Sequence, residues 1–306
     1  MAIILPANTL SAGGFNVDNS CRFNSADSAE LTRSISSTSN RKTGTLSAWV
    51  KLCDLSGTAQ ASFANLSSGT NRFLVSFESG SILKIGNRSS GTYDLDYQTN
   101  RTFRDPSAWY HIVVRVDTTQ ASSGDRVKLW VNGVEETSFS SSTTPSQNSD
   151  TQFNLSGHNS EVGGDNKMNG YLADVHWCDG QAYAASDFGE FDEDSPTIWK
   201  PKKADVSYGT NGFFVEFKDS SALGDDTSGN GNDFTASNLD ATDQATDTPT
   251  NNFCVMNPLD NFKNQATFSE GNCKLVTASS PYYYNTGTFG LSSGKWYYEC
   301  KVASSA

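Results

Sequence analysis

Apolar and polar residues alternate over short stretches along most of this chain, and turn residues separate the stretches. Val127, Leu129 and Val131 alternate with Lys128, Trp130 and Asn132. Successive side chains of a strand point to opposite faces, so this run predicts a strand with one apolar face. Asn132-Gly133 follows, a pair suited to a type I′ hairpin in which both central residues take positive φ. The stretch from Trp109 therefore reads as two strands joined by a Ser/Gly-rich turn and closed by a tight hairpin. In Thr45–Leu52, Leu46, Ala48, Val50 and Leu52 face one way and Ser47, Trp49 and Lys51 the other. Gly170–Trp177 places Tyr171, Ala173, Val175 and Trp177 together. Shorter strands are predicted around Phe23, Leu31–Arg33, Phe73–Phe77, Ile82–Ile85, Tyr93–Tyr97, Phe153–Leu155, Glu161–Gly163 and Gly212–Phe217. A last one is expected at Lys295–Val302. Ser138–Asn148 has no apolar pattern and reads as a loop, and Ala182–Gly189 as a helical turn or two. Many short strands with Gly, Asn and Ser turns predict an all-β fold, an antiparallel β-sandwich or jelly roll.

Composition sharpens this. Hydrophobic residues make up 36% of the 306 positions and charged residues 18%, so the remainder is dominated by small polar and turn-forming types. That mix suits strands and turns and disfavours helices. Residues 219–252 are rich in Asp, Asn, Ser, Thr and Gly, which predicts a polar linker or surface loop. The expected order is an N-terminal arm over 1–14, a sandwich over 15–218, the linker over 219–252 and a partial second β unit over 253–306. About 50 residues are too few for an independent core, so that last unit is expected to be incomplete or completed by another chain.

The formal charge of −12 would repel a phosphate backbone, which argues against nucleic acid as a partner. The N-terminus lacks the basic and long apolar regions of a signal peptide, and no stretch reads as a membrane span. The six cysteines form no Cys-x-x-Cys pair. They are expected to be reduced, most of them as small buried hydrophobes.

Three groups of residues carry a resemblance. Ser47–Lys51, Trp109–Val113, Lys128–Gly133 and Gly170–Val175, in that order, resemble a laminin G-like, concanavalin A-like jelly roll. Ser293–Glu299 is similar to the opening strand of a SPRY domain. Asp226–Phe234, followed by Thr248–Phe253 and Asn257-Pro258, is similar to long virion proteins of bacteriophages, many of them marine. The resemblance implies a virion protein of a tail fibre or surface appendage that presents a sandwich to host-surface glycans. It further implies other virion proteins as partners, a homotrimer, and assembly into the virion from the host cytoplasm. The alternatives are a purely structural capsid or tail decoration, a carbohydrate-binding module of a non-viral cell, and a glycan hydrolase.

The candidate ligand-binding residues are Tyr93, Asp94, Asp96 and Tyr97. Two carboxylates at i and i+2 of a strand share a face about 6.5–7 Å apart, and an aromatic ring stacks on a sugar while Asp reads its hydroxyls. That separation also suits glycoside hydrolysis. The Glu-x-Asp-x-x-Glu run of glucanases of this fold is absent, so no enzyme is expected. Trp49, Trp130 and Tyr282–Tyr284 are further candidates for exposed aromatics. The candidate cofactor is calcium. Asp226, Ser228, Asn230 and Asn232 alternate with Gly231 at the sixth position, as in a calcium loop, with Asp225 and Asp233 alongside. The twelfth position is Ser237 rather than the bidentate Glu of an EF-hand. His111 and His176 lie in predicted strands and are expected to pack rather than react.

Overall fold

The alternation becomes two stacked sheets. The structure is a computed structural model that describes residues 14–302 apart from 56–59, 69, 165, 263–265 and 278–281, so all of the expected N-terminal arm but Gly14 lies outside the described residues. In chain order the strands are β1 (Ser20–Phe23), β2 (Glu30–Ser34), β3 (Thr43–Leu52), β4 (Gln60–Ser68), β5 (Asn71–Glu78), β6 (Ile82–Ser89), β7 (Thr92–Thr102), β8 (Tyr110–Asp117) and β9 (Val127–Val131). They continue with β10 (Val134–Glu135), β11 (Phe139–Thr143), β12 (Asn159–Val162), β13 (Gly170–Asp179), β14 (Gly189–Phe191), β15 (Trp199–Pro201), β16 (Phe213–Val215), β17 (Thr235–Ser237) and β18 (Gln244–Ala245). One sheet runs β10-β9-β8-β3-β13-β1-β18 with β16 beside β13, and the other runs β11-β7-β6-β5-β4-β12-β2-β17. The ladders are antiparallel.

The inner faces interdigitate. Leu46, Val50, Val114 and Leu129 of the first sheet meet Phe63, Phe73, Ile85 and Leu95 of the second in one buried cluster. Trp177 lies at its centre, stacked on Phe63 at 5.0 Å and edge-on to Phe153 at 5.1 Å. Its indole N–H donates to Asn154 Oδ1 at 2.8 Å, so the buried polar edge of the ring is satisfied. The hairpin forms as expected, with φ of 49° at Asn132 and 77° at Gly133.

Several expectations are corrected. Ser138–Asn148 contains β11, whose pairing with β7 supplies what its apolar pattern lacks. Phe153–Leu155 forms turns, not a strand, although Phe153 is buried. Strand β4 has little alternation and is held between β5 and β12. In β13 the ladder to β3 slips between Ala173 and His176, where Asp174 takes φ of 44°. The slip reverses the facing: Tyr171 and Ala173 pack on the outer side, while Val175 and Trp177 enter the core. Residues 219–252 lay β17 against β2 and β18 against β1, so this segment adds an edge strand to each sheet. Beyond it, Met256–Phe262 pairs with Tyr284–Gly287 and Thr267–Ser269 with Lys274–Val276 as two small ladders. Lys295–Val302 forms no strand and leaves Tyr297, Tyr298 and Val302 exposed. Alternation alone does not make a strand when no neighbour accepts its backbone hydrogen bonds. Cys21, Cys53 and Cys178 are buried as expected, but Cys254, Cys273 and Cys300 are exposed; all six are free thiols.

Candidate functional site

The outer face of the first sheet is covered in two places. The first cover is the β14–β15 hairpin. Trp199 of β15 lies against Gly133 and Gly189, where an added Cβ would come within 2.2 and 2.6 Å of its ring. Gly133 therefore serves both the turn and this close approach. The Trp199 indole N–H donates to His111 Nδ1 at 2.9 Å. His111 is stacked between Trp49, with ring centres 4.6 Å apart, and Trp199, 6.0 Å apart. Because an indole N–H only donates, Nδ1 is the acceptor and the ring proton is assigned to Nε2, which donates to Ser47 Oγ at 2.9 Å. Burial pushes the imidazole down to about 3, so it stays neutral. This Ser–His–Trp arrangement runs opposite to a nucleophile triad. There the histidine accepts the serine proton and a carboxylate holds the other nitrogen. His176 is likewise buried, stacked on Phe214 at 3.9 Å and bonded to the Tyr208 hydroxyl. Both histidines pack, as expected.

Trp199 divides a groove into two clefts. One, of about 380 Å³, is walled by Trp130, Phe191 and Trp199, with Glu190, Ser186 and Lys202 at its rim. The other, of about 270 Å³, lies between Trp199, Phe191, Trp109 and Val134, with Arg101, Asn132 and Thr197 as polar groups. Phe191 is 42% exposed and meets Trp199 edge-on at 4.9 Å. Two apolar walls with a few polar groups at the rim form the usual outline of a small-ligand site. Sequence reading missed Trp199 and Phe191, because the hairpin that carries them is short and acidic. Their one signal was the apolar pair Ile198-Trp199 between prolines. Both tryptophan candidates line this groove, Trp130 in one cleft and Trp49 in the other, although the stack leaves Trp49 only 4% exposed.

The four residues singled out on β7 are not brought together. The β6–β7 ladder is irregular where Asn87 faces Leu95 and Arg88 faces Tyr93, and it passes over Asp94. Asp94 instead accepts from the buried Asn87 amide at 2.6 Å. Asp96 is held by Lys84 at 3.3 Å, by Gln98 and by Ser141. The two carboxylates thus have separate partners, and the irregular pairing interrupts the regular face on which both were expected. Tyr97 points into the core, with its hydroxyl bonded to Thr144 at 2.7 Å. Tyr93 lies over Gly86, with the Lys84 ammonium 4.1 Å from its ring centre and Arg88 at 5.4 Å. Only Tyr93 and Asp96 share a neighbourhood, and a cation already covers the ring. Of the other tyrosines proposed, Tyr282 and Tyr284 are exposed.

The expected calcium loop is closed by its own hydrogen bonds. Asp226 Oδ1 accepts from the Phe214 and Ser228 N–H groups, and Oδ2 from Asn232 N–H and Ser228 Oγ. Asp233 accepts from Asp226 N–H. Asn230 and Asn232 turn their amide nitrogens onto the Gly212 carbonyl, and Asn232 Oδ1 accepts from Arg33 at 2.6 Å. Asp225 adds no bond to this set, and among the described residues no group of acidic, His or Cys side chains is arranged to hold a metal. The oxygens that calcium needs are engaged by N–H groups, a pattern that builds turns. A chelator is therefore expected to leave the melting temperature unchanged, and a fall on adding it would return calcium to the loop.

The second cover is the chain from β18 to Phe253, held by a buried charge. Lys51 of β3 is 0% exposed and donates to Asp247 Oδ2 at 2.7 Å, Asn252 Oδ1 at 2.8 Å and the Phe253 carbonyl at 3.0 Å. Asp247 Oδ1 also accepts from the Trp109 indole at 3.0 Å and from Phe253 N–H at 3.3 Å. Thus Ser47 and Lys51, two of the outward-facing polar residues of β3, are buried under later parts of the chain.

Residues 23–185 match the family model described as the concanavalin A-like lectin/glucanases superfamily, a little over half of the chain. No curated protein matches. Among solved structures, the chain is similar to an SAP-like pentraxin from Limulus polyphemus at 12% identity and a TM-score of 0.40, covering 55% of this chain and 78% of that one. It is similar to a putative carbohydrate binding protein from Bacteroides ovatus at 11% identity and a TM-score of 0.45, covering 74% of this chain and 61% of that one. It is also similar to domains LG4-5 of the mouse laminin alpha1 chain at 11% identity and a TM-score of 0.38, covering 69% of this chain and half of that one.

Proposed function

This chain belongs to the concanavalin A-like lectin/glucanases superfamily, and from that premise we propose that it is a glycan-binding module that holds a sugar in the groove divided by Trp199. The observation that carries this reading is the exposed Phe191 ring set against Trp199, with polar groups at the rim of both clefts. A sugar offers one face of C–H groups to a ring and its hydroxyls to groups such as Glu190, Lys202 and Asn132. Binding without turnover is supported by the neutral, inward-bonded His111 and by the separate partners of Asp94 and Asp96.

Glycan-array binding by the purified chain tests the proposal. Phe191→Ala removes an exposed ring and is expected to weaken binding about tenfold, the equivalent of about 1.4 kcal/mol. Tyr93→Ala is expected to leave binding intact. The reverse pattern would move the site to the second sheet, and no binding to any glycan would refute the reading.

The finer assignment, an adhesive component of a phage tail fibre or surface appendage that assembles as a homotrimer, rests on the run of motifs from Asp226 to Pro258. Mass spectrometry of purified virions would reject it if the chain were missing. Presence in virions without glycan binding would favour a purely structural decoration.

A further inference from the structure

We propose that Lys51 and Asn252 form an isopeptide bond, with Asp247 as the proton carrier, so that β3 is covalently joined to the segment following β18. The reaction needs an amine nucleophile, an amide acceptor and a carboxylate, with the amine and the carboxylate shielded from water. The cover over β3 supplies one of each. The Lys51 ammonium is fully buried, 2.7 Å from the Asp247 carboxylate and 2.8 Å from the Asn252 amide oxygen. The Asn252 amide is held in one orientation because its Nδ2 donates to the Ser107 carbonyl at 2.7 Å, which turns Oδ1 towards the lysine. Asp247 is held in turn by the Trp109 indole and by Phe253 N–H. Such fixed placement makes the reaction effectively unimolecular and removes the entropic barrier of bringing the groups together.

The step balances without an oxidant or a co-reactant. Lys51 passes one proton to Asp247 and becomes a neutral amine. Its lone pair attacks Asn252 Cγ, forming the new C–N bond and opening the carbonyl to a tetrahedral centre. The centre collapses as the bond from Cγ to Nδ2 breaks, and the departing nitrogen takes the second Lys51 proton. Asp247 then gives up the first, so nitrogen leaves as ammonium and the carboxylate is restored. Asn252 is the acceptor and not Asp247, because bonding to Asp247 would consume the only carboxylate among the described residues that is bonded to Lys51.

The bond would link positions 201 residues apart in sequence. The test is mass spectrometry of the purified full-length chain under denaturing conditions, after prolonged incubation at neutral pH. The expected result is a loss of one ammonia, together with a branched tryptic peptide joining the Lys51 and Asn252 segments and no cleavage after Lys51. The branched peptide is required because Asn132-Gly133 and Asn230-Gly231 can also lose ammonia by local cyclisation. Asn252→Asp is expected to replace the loss of ammonia by a loss of water at the same branch. A linear peptide ending at Lys51 in the wild-type chain, with Asn252 intact in its own peptide, overturns the proposal whether or not any variant folds.

Discussion

Replacing Asp247 with alanine, compared with the chain before any Lys51–Asn252 bond forms, is expected to lower the unfolding free energy by about 3–5 kcal/mol. The substitution leaves the Lys51 ammonium at zero exposure with only two neutral acceptors, Asn252 Oδ1 and the Phe253 carbonyl. It also strips the Trp109 indole of its acceptor. An unpaired buried charge costs far more than a lost surface ion pair, because no water replaces the missing partner. Removing both charges, as in Lys51→Met with Asp247→Leu, is expected to cost less than Asp247→Ala alone. Urea unfolding of the three chains distinguishes the cases. A loss under 1 kcal/mol for Asp247→Ala would mean that water reaches Lys51.

Asp174→Asn should have a comparably large effect in the opposite direction. Asp174 sits in the β13 slip at 8% exposure, with burial first and repulsion from Glu216 and Asp18 next pushing its carboxyl up to about 8. The unfolded chain releases this proton near 3.8. Between about pH 4 and 8 the folded state therefore binds the extra proton, and raising the pH through that window lowers stability. Asparagine is neutral throughout and tolerates the positive φ at this position. The variant is expected to gain on the order of 2–4 kcal/mol at neutral pH, a gain that vanishes below pH 4. His111 and His176 work the other way: both are held down to about 3, so their contribution is complete above about 6.5 and is lost as pH falls through that range. Since both chains share the histidines, the difference between their stability–pH curves isolates Asp174. A flat difference would refute the assignment.

Legibility in the sequence followed the physics of each element. Strands with one apolar face, such as β3 and β9, were readable because burial on one side imprints a period of two on the chain. Strands buried on both sides or held at an edge were not: β4 lacks alternation, and β11 is a Ser/Thr run held by its neighbour β7. The Asp174 slip was invisible because a single positive φ has no pattern, though it changes which residues of β13 reach the core. The groove divided by Trp199 was missed for a related reason. Phe191 and Trp199 acquire meaning only when a hairpin folds across Gly133 from more than fifty residues away in sequence. On β7 the residue types were informative, but their alternation was broken by the irregular pairing at Asp94. Lys51 read only as a residue of the face of β3 opposite Leu46, Ala48, Val50 and Leu52, and the return of residues 244–253 makes it interior.

The segment that carries β17 and β18 has a colloidal consequence. An open sheet edge is a template on which a second molecule can add a strand, and long apolar edges drive cross-β growth. Here one margin of each sheet is occupied by a short polar strand from the same segment, β17 on one and β18 on the other. The opposite margins end in the two-residue β10 and in the serine-rich β11. Neither sheet offers a neighbour an extended hydrophobic border, so many copies can crowd side by side without their sheets fusing.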